Sequence, residues 1–315
     1  MLVSVVICTY NRADLLEECL DELSKQTADP SEYEVIIIDN HSTDRTATVA
    51  ESFARRHPSA RYLMEPAQGL SHARNRGWRA AGGRYVAYID DDCRVPPIWL
   101  GVAFEIIARI APGAFGGPYS AFYKTVKPGW YRDSYFSEGN GDQAGALVHP
   151  QTLSGTNLFI RRSLLDRVGG FNTRLGMQGR AIGYGEETDL LLRVRQLDPA
   201  EIVYYDPRLW VEHLVTPTKM TLRWIARQRF AGGRSYRQVY RRDALPGAGK
   251  VRLFMRALRA VGGLALDALR GMVRRDRTRY PYIQNYLCEL SFQRLHLLGM
   301  LYDQLTAGQR AETVR

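Results

Sequence analysis

The chain has 315 residues, with 43 Lys+Arg against 33 Asp+Glu for a formal charge of +10. Hydrophobic residues make up 45% and charged residues 24%, globular proportions that exclude a disordered, collagenous or low-complexity chain. Four scattered cysteines (Cys8, Cys19, Cys93 and Cys288) show no CxxC spacing, so they give neither a disulfide framework nor a zinc-knuckle pattern.

Leu2 to Cys8 is a β-branched run suited to a buried strand. Met1 to Tyr10 has no basic segment ahead of it and no small-residue cleavage site close behind. It does not read as a signal peptide, and a reduced cytoplasmic compartment is the expectation. Leu15, Leu16, Cys19, Leu20 and Leu23 then recur at helical spacing. Glu34 to Ile38 predicts a second strand, Asp44 to Arg56 a helix, and Ala60 to Met64 a third strand. Gly69 to Ala81 is helical in pattern, and Arg84 to Ile89 predicts a fourth strand. Strands alternating with helices of this length indicate a mostly parallel α/β sheet with helices on both faces.

After Pro112 the pattern changes. Tyr119 to Pro150 reads as one long connection rich in Tyr, Gly and Asp, a length usually reserved for functional or mobile loops. Thr156 to Ile160 predicts a strand, Ser163 opens a helix, and another helix begins near Glu186. A strand pair is expected across Ile202 to Val215, and helices follow from Met220.

In an open α/β sheet, ligands bind beyond the carboxyl ends of the strands. Strand one ends in Thr9-Tyr10-Asn11-Arg12, strand two in Asp39-Asn40 and strand four in Asp90-Asp91-Asp92. Neither GxGxxG nor GxxxxGK[ST] occurs, so no glycine-rich loop cradles a phosphate here. Three consecutive carboxylates repel one another unless a cation neutralises them. Their hard oxygens suit Mg²⁺ or Mn²⁺ bridging to a diphosphate, whereas the bland alternative is a solvated acidic turn. Glu186, Glu187 and Asp189 open a helix whose dipole favours acids, and one of them is a candidate general base. His213 is either a core imidazole or a further metal ligand.

Taken in order, SVVICTYNR, EVIIIDNHSTD, GLSHARNRG, YIDDDCRVPP, SGTNLFIRR, VGGF, GEETDLLLR and WVEH resemble the inverting family 2 glycosyltransferases, which have the GT-A fold. The resemblance covers most of residues 1 to about 240. It implies a Rossmann-like GT-A catalytic domain over 1–218, with a nucleotide-binding half at 1–112 and an acceptor-side half at 113–218. A basic, mainly helical region at 219–315 follows. Thr9, Tyr10, Asn11, Arg12, Asp39, Arg74, Asp90 and Asp91 are implied in nucleotide binding, and Gly155, Thr156 and Asn157 in the sugar or acceptor site. Asp92 and His213 are implied as metal ligands, with Asp90 a further one. Glu187 falls where the family usually has a catalytic Asp, with Glu186 and Asp189 as alternates. The implied reaction is metal-dependent transfer of a sugar from a UDP- or dTDP-type donor to a glycan or lipid-linked hydroxyl. It belongs to cell-envelope polysaccharide or glycolipid synthesis.

Between Lys219 and Arg279 there are 17 Lys+Arg and only three acids, so the rest of the chain is net acidic. Arg223, Arg227, Arg234, Arg237, Arg241 and Arg242 lie among Trp224, Phe230, Tyr236 and Tyr240. Val251 to Val273 sets Phe254, Leu258, Val261 and Leu269 against Arg252, Arg256 and Arg259. It is too interrupted by charge to span a bilayer. A peripheral site on the inner face of an anionic membrane and a solvated basic face are the two readings, and no nucleic acid is expected. The competing functions are a nucleotidyltransferase, which lacks its glycine-rich basic signature here, and a non-catalytic sugar-nucleotide or membrane-binding protein.

Overall fold

The computed structural model describes residues 1–179, 181–240 and 249–312, with side chains through residue 306. The chain forms two compact units. One comprises Met1–Phe122, Asp133–Gly179 and Glu186–Leu214, and the other the described parts of Tyr123–Arg132, Arg180–Gly185 and Val215–Arg315.

The first unit begins β1 (Val3–Thr9), α1 (Ala13–Leu23), β2 (Tyr33–Asp39), α2 (Thr46–Arg56), β3 (Ala60–Met64), α3 (Leu70–Ala80), β4 (Tyr85–Asp90). It continues β5 (Cys93–Arg94), α4 (Trp99–Arg109), β6 (Ala114–Gly116), β7 (Tyr119–Phe122), β8 (Gly145–Ala146), β9 (Asn157–Arg161) and α5 (Arg162–Val168). It ends with α6 (Glu186–Leu197), β10 (Val203–Tyr205) and β11 (Val211–Leu214). The main sheet runs β3-β2-β1-β4-β9-β6-β10-β8. β3, β2, β1 and β4 are mutually parallel, and β9 is antiparallel to both β4 and β6.

The apolar runs make this sheet because both of its faces are covered. Val3, Val5 and Ile7 of β1 pack with α1, α2 and α4, whereas Val6 packs on the other side with α3, α5 and α6. The same alternation puts Val35 and Ile37 of β2 on the first face and Ile36 and Ile38 on the second. Period-two geometry therefore gives two hydrophobic layers from one largely apolar strand.

Two expectations differ from the structure. The long connection is not all loop: Tyr119–Phe122 is β7, which pairs with β11 in a second sheet ordered β5-β11-β7. The strands within 202–215 do not pair with each other, since β10 lies beside β6 in the main sheet and β11 in the small one. Strand assignment from periodicity carries no information on which partner a strand chooses, and here the partners are distant in sequence.

The second unit holds α7 (Leu222–Tyr240), α8 (Lys250–Arg274), α9 (Ile283–Tyr286), a π-helical turn at Leu287–Ser291 and α10 (Gln293–Glu312). α7 and α10 approach backbone to backbone at Gly233 and Gly299. Arg237 Nε and Gln238 Nε2 both donate to Asp303, at 2.9 and 2.7 Å. Asn285 Nδ2 donates to Trp130 O at 2.6 Å and Arg132 pairs with Glu289 at 2.7 Å, which ties the 123–132 stretch to these helices. Arg241 and Arg242 of the basic run lie outside the described residues. No helix among the described residues is long and apolar enough to cross a membrane.

Candidate functional site

Register sets the site. Thr9 is opposite Asp39, and Cys8 is opposite Asp90, so three parallel strands end at one level. The chain leaves β1 toward β2 and β3, then returns to β4 on β1's other side. This is the switch point at which α/β sheets open a crevice.

The loops after β1 and β2 are tied together. Asn11 has a positive φ of 52°, which Asn tolerates better than most residues. Its Oδ1 accepts from Thr43 N at 2.7 Å, while its own N–H donates to Ser42 Oγ at 2.8 Å. Asp39 is buried and accepts from Ser42 N at 2.8 Å and from Tyr62 OH at 3.1 Å. Burial and the Asp39 charge push the Tyr62 phenol up to about 12. Thr9 is buried beside this pair and Tyr10 is exposed at the rim.

Asp91 and Asp92 are buried and Asp90 is half-buried. Arg12 Nη1 lies 2.8 Å from Asp91 Oδ1 and 3.2 Å from Asp92 Oδ2. Burial raises the Asp91 carboxyl to about 6, with Arg12 opposing and Asp92 adding to the rise. His213 comes from β11, where it pairs with Cys93 of β5. Its Nε2 is 2.9 Å from Asp92 Oδ1 and 4.0 Å from Asp90 Oδ2. The rings of Tyr119 and Phe136 meet the imidazole edge-on, with centroids at 5.6 and 4.8 Å. Thr156 Oγ1 donates to Asp90 Oδ2 at 2.8 Å.

One ligand atom from each of Asp90, Asp92, Cys93 and His213 falls within 4.8 Å of the others. The family resemblance implied the two aspartates and the histidine but not Cys93, whose place depends on the β5–β11 pairing. Burial holds the Cys93 thiol well above its ordinary value, so the hard donors of the cluster are Asp and His.

The carboxylates of α6 reach the same crevice. Arg74, 2% exposed, donates from Nη1 to Glu186 Oε1 at 2.9 Å and to Glu187 Oε1 at 3.0 Å. Its Nη2 is 3.6 Å from Asp90 Oδ1. Gly155 N–H also donates to Glu187 Oε1, at 3.1 Å. A Cβ at Gly155 would sit 2.2 Å from that oxygen and 2.3 Å from Arg74 Nη2, so any larger residue would force one of these side chains to shift. Burial, and then the neighbouring Glu187 charge, push the Glu186 carboxyl up to about 8. Asp90, Asp91, Asp92, Glu186 and Glu187 thus face two arginines. Raised carboxyl pKa values and an excess of acids are what a site built for a divalent cation shows when its charge is not balanced by protein alone.

Two expected residues stand apart. Asn157 is fully buried, with its amide bonded to Leu209 O and to Trp99 Nε1, the latter at 3.1 Å. Asp189 accepts from Arg193 Nε at 2.8 Å, and Arg193 in turn binds the carbonyls of Val168 and Gly170. Glu138 joins without having been legible in the sequence. It is bridged to Tyr119, whose OH donates to its Oε2 at 3.3 Å, and burial and the Glu187 charge raise its carboxyl.

Comparisons with known proteins converge. The profile of Glycosyl transferase family 2 matches residues 4–169, more than half of the chain. Glycosyltransferase AglE of Haloferax volcanii is 30% identical over 174 residues, 55% of this chain and 57% of that protein. Glucosyl-dolichyl phosphate glucuronosyltransferase of the same organism is 25% identical over 243 residues, 75% of this chain and 77% of that protein. The chain spans little more than half the length of the first of these two relatives. The mannosyltransferase PcManGT from Pyrobaculum calidifontis, solved with GDP-Man and Mn²⁺, matches with a TM-score of 0.64 at 21% identity. That match covers 96% of this chain and 86% of that one. The structural likeness shows the GT-A fold, and the sequence match shows the family. The chain belongs to glycosyl transferase family 2 and is a transferase.

Proposed function

We propose that the protein is a metal-dependent inverting glycosyltransferase. It moves a sugar from a nucleoside diphosphate sugar to a hydroxyl of a glycan or lipid-linked acceptor, in polysaccharide or glycolipid synthesis. The observation that carries this is the meeting of Asp92, His213, Arg74 and Glu187 around one crevice at the switch point. Residues 1–218 act as the catalytic domain, and 219–315 form a separate basic helical region. The enzyme works on the cytoplasmic side, where nucleotide sugars are made. The lipid-linked acceptor has support in a relative named for glucosyl-dolichyl phosphate. The matching fold solved with GDP-Man supports a nucleotide-sugar donor.

Asp39 accepts from the base N–H, with Thr9, Tyr10 and Asn11 enclosing the nucleoside and Arg12 and Asp91 bordering its diphosphate. Asp92 and His213, with Asp90, would hold a Mn²⁺ or Mg²⁺ ion. A bound divalent cation supplies Lewis-acid stabilisation of the charge on the leaving diphosphate. Glu187, fixed by Arg74 and Gly155, takes the proton from the acceptor hydroxyl as its oxygen attacks the anomeric carbon from the side opposite the leaving group. Thr156 orients Asp90 toward the donor sugar, and buried Asn157 braces the strand that carries it.

A thermal-shift and calorimetry panel of UDP, dTDP and GDP with Mn²⁺ tests the reading. Binding of one diphosphate should depend on the cation and be lost in Asp92→Ala. Glu187→Gln should keep that binding and lose transfer by about 100-fold or more. Cation-independent binding of every nucleotide, or substantial transfer by Glu187→Gln, overturns it.

A further inference from the structure

Outside the carboxylate crevice, α8 presents a long exposed apolar face. Leu253, Ala260, Asp267 and Gly271 form its buried face. Close packing there is enforced: a Cβ on Gly271 would lie 2.6 Å from the Tyr286 ring, and Asp267 accepts from Arg294 Nε at 2.7 Å. Phe254, Leu258, Val261, Leu266, Leu269 and Met272 point the other way, each between 46% and 59% exposed. With 3.6 residues per turn they share one outward arc, and from Phe254 to Met272 the stripe runs about 27 Å. A helix facing only water and its own unit would carry polar residues there.

Charge selects the occupant. Arg252, Arg256, Arg259, Arg270 and Arg274 fall on a single flank of the stripe, between the outward and the buried arcs. Asp267 is the one acid in 250–274, and Arg294 and Arg270 already share it. A second copy laid on the stripe would bring five more arginines and no free carboxylate from α8. Phosphate headgroups above an acyl layer match both flank and stripe, with the arginine stems lying along the apolar surface. The helix is not apolar enough to cross a bilayer, which leaves it in the plane of the interface.

We propose that α8 is an interfacial helix that docks the protein on a membrane containing anionic lipid, its stripe in the acyl boundary and its arginines on the headgroups. This inference does not depend on the transfer chemistry.

Flotation of the full chain with phosphatidylcholine vesicles, and with equimolar phosphatidylcholine and phosphatidylglycerol, tests it without donor or metal. The wild type should float with the mixed vesicles, weakly with phosphatidylcholine alone, and less as salt rises. The double variant Leu258→Glu/Leu269→Glu, at exposed positions, should lower the bound fraction about tenfold with an unchanged thermal unfolding transition. Should that variant unfold, Arg252→Glu/Arg259→Glu leaves the stripe intact and should abolish the preference for the mixed vesicles. Equal flotation with both vesicle types, or retention of binding by a folded double variant, overturns the proposal. So does a dimer in sedimentation velocity that the double variant abolishes while vesicles bind neither form.

Discussion

Arg74 holds Glu187 by a 3.0 Å hydrogen bond from a position closed to solvent, and the same guanidinium nitrogen binds Glu186 at 2.9 Å. One planar cation thus fixes two α6 carboxylates and, through Nη2, reaches the β4 aspartate at 3.6 Å.

Arg74→Ala leaves buried acids uncompensated and should destabilise the protein by about 3–5 kcal/mol, read by denaturant unfolding. Arg74→Lys restores the charge but is a point donor that cannot span both glutamates. It should recover most of the stability yet lower kcat about tenfold or more with KM for the donor little changed, because the base is misaimed. A Lys variant with wild-type kcat would show that Arg74 acts only as a counter-charge.

Glu186 gives a pH signature. Its folded carboxyl is raised to about 8, above the ordinary glutamate range of an unfolded chain. The folded state therefore binds the proton more tightly. The associated stability is fully present below the unfolded value and is lost as pH rises through about 8. Glu186→Gln keeps the shape and removes the titration. Thermal unfolding of metal-free protein should show the wild type losing ground to Glu186→Gln between about pH 5 and about pH 9. Parallel curves for the two proteins would mean that Glu186 is ionised throughout.

Much of this was readable in the chain because the pattern is local. Val5 to Cys8 and Val35 to Ile38 are apolar throughout since β1 and β2 are covered on both faces, and the polar residues that end them mark the crevice. What depends on distant pairing was not readable. Tyr119–Phe122 becomes a strand only because β11 lies beside it, and the two-residue β5 delivers Cys93 only through its register with His213. Side-chain commitments were equally hidden. Asn157, expected in the sugar or acceptor site, spends its amide on Trp99 and Leu209, Asp189 is taken by Arg193 one turn along, and Glu138 enters from an irregular connection.

Gly155→Ala probes the support of the proposed base Glu187 from the other side. The new methyl would meet Glu187 Oε1 and Arg74 Nη2 well inside van der Waals contact, and neither can withdraw without breaking the carboxylate network. Overpacking of this kind costs about 1–3 kcal/mol. Transfer should fall more than stability, and cation-assisted nucleotide diphosphate binding should survive, since Asp92 and His213 lie apart from the clash. Loss of both functions together would place Gly155 within the nucleotide pocket instead.

His213 tests the proposed cation site separately from the proposed base. Its Nε2 faces Asp92 Oδ1 at 2.9 Å, and two aromatic rings fix the imidazole plane. His213→Ala should weaken Mn²⁺ binding about tenfold or more in calorimetry, leaving any cation-free nucleotide affinity unchanged. Cys93 sharpens the assignment. Its thiol is held protonated by burial, so it contributes nothing to a hard ion, while a soft ion can displace the proton. Cys93→Ser should therefore bind Mn²⁺ like the wild type but lose affinity for Cd²⁺. Equal losses for both ions would make Cys93 a working ligand, and no loss in His213→Ala would move the cation onto the aspartates alone.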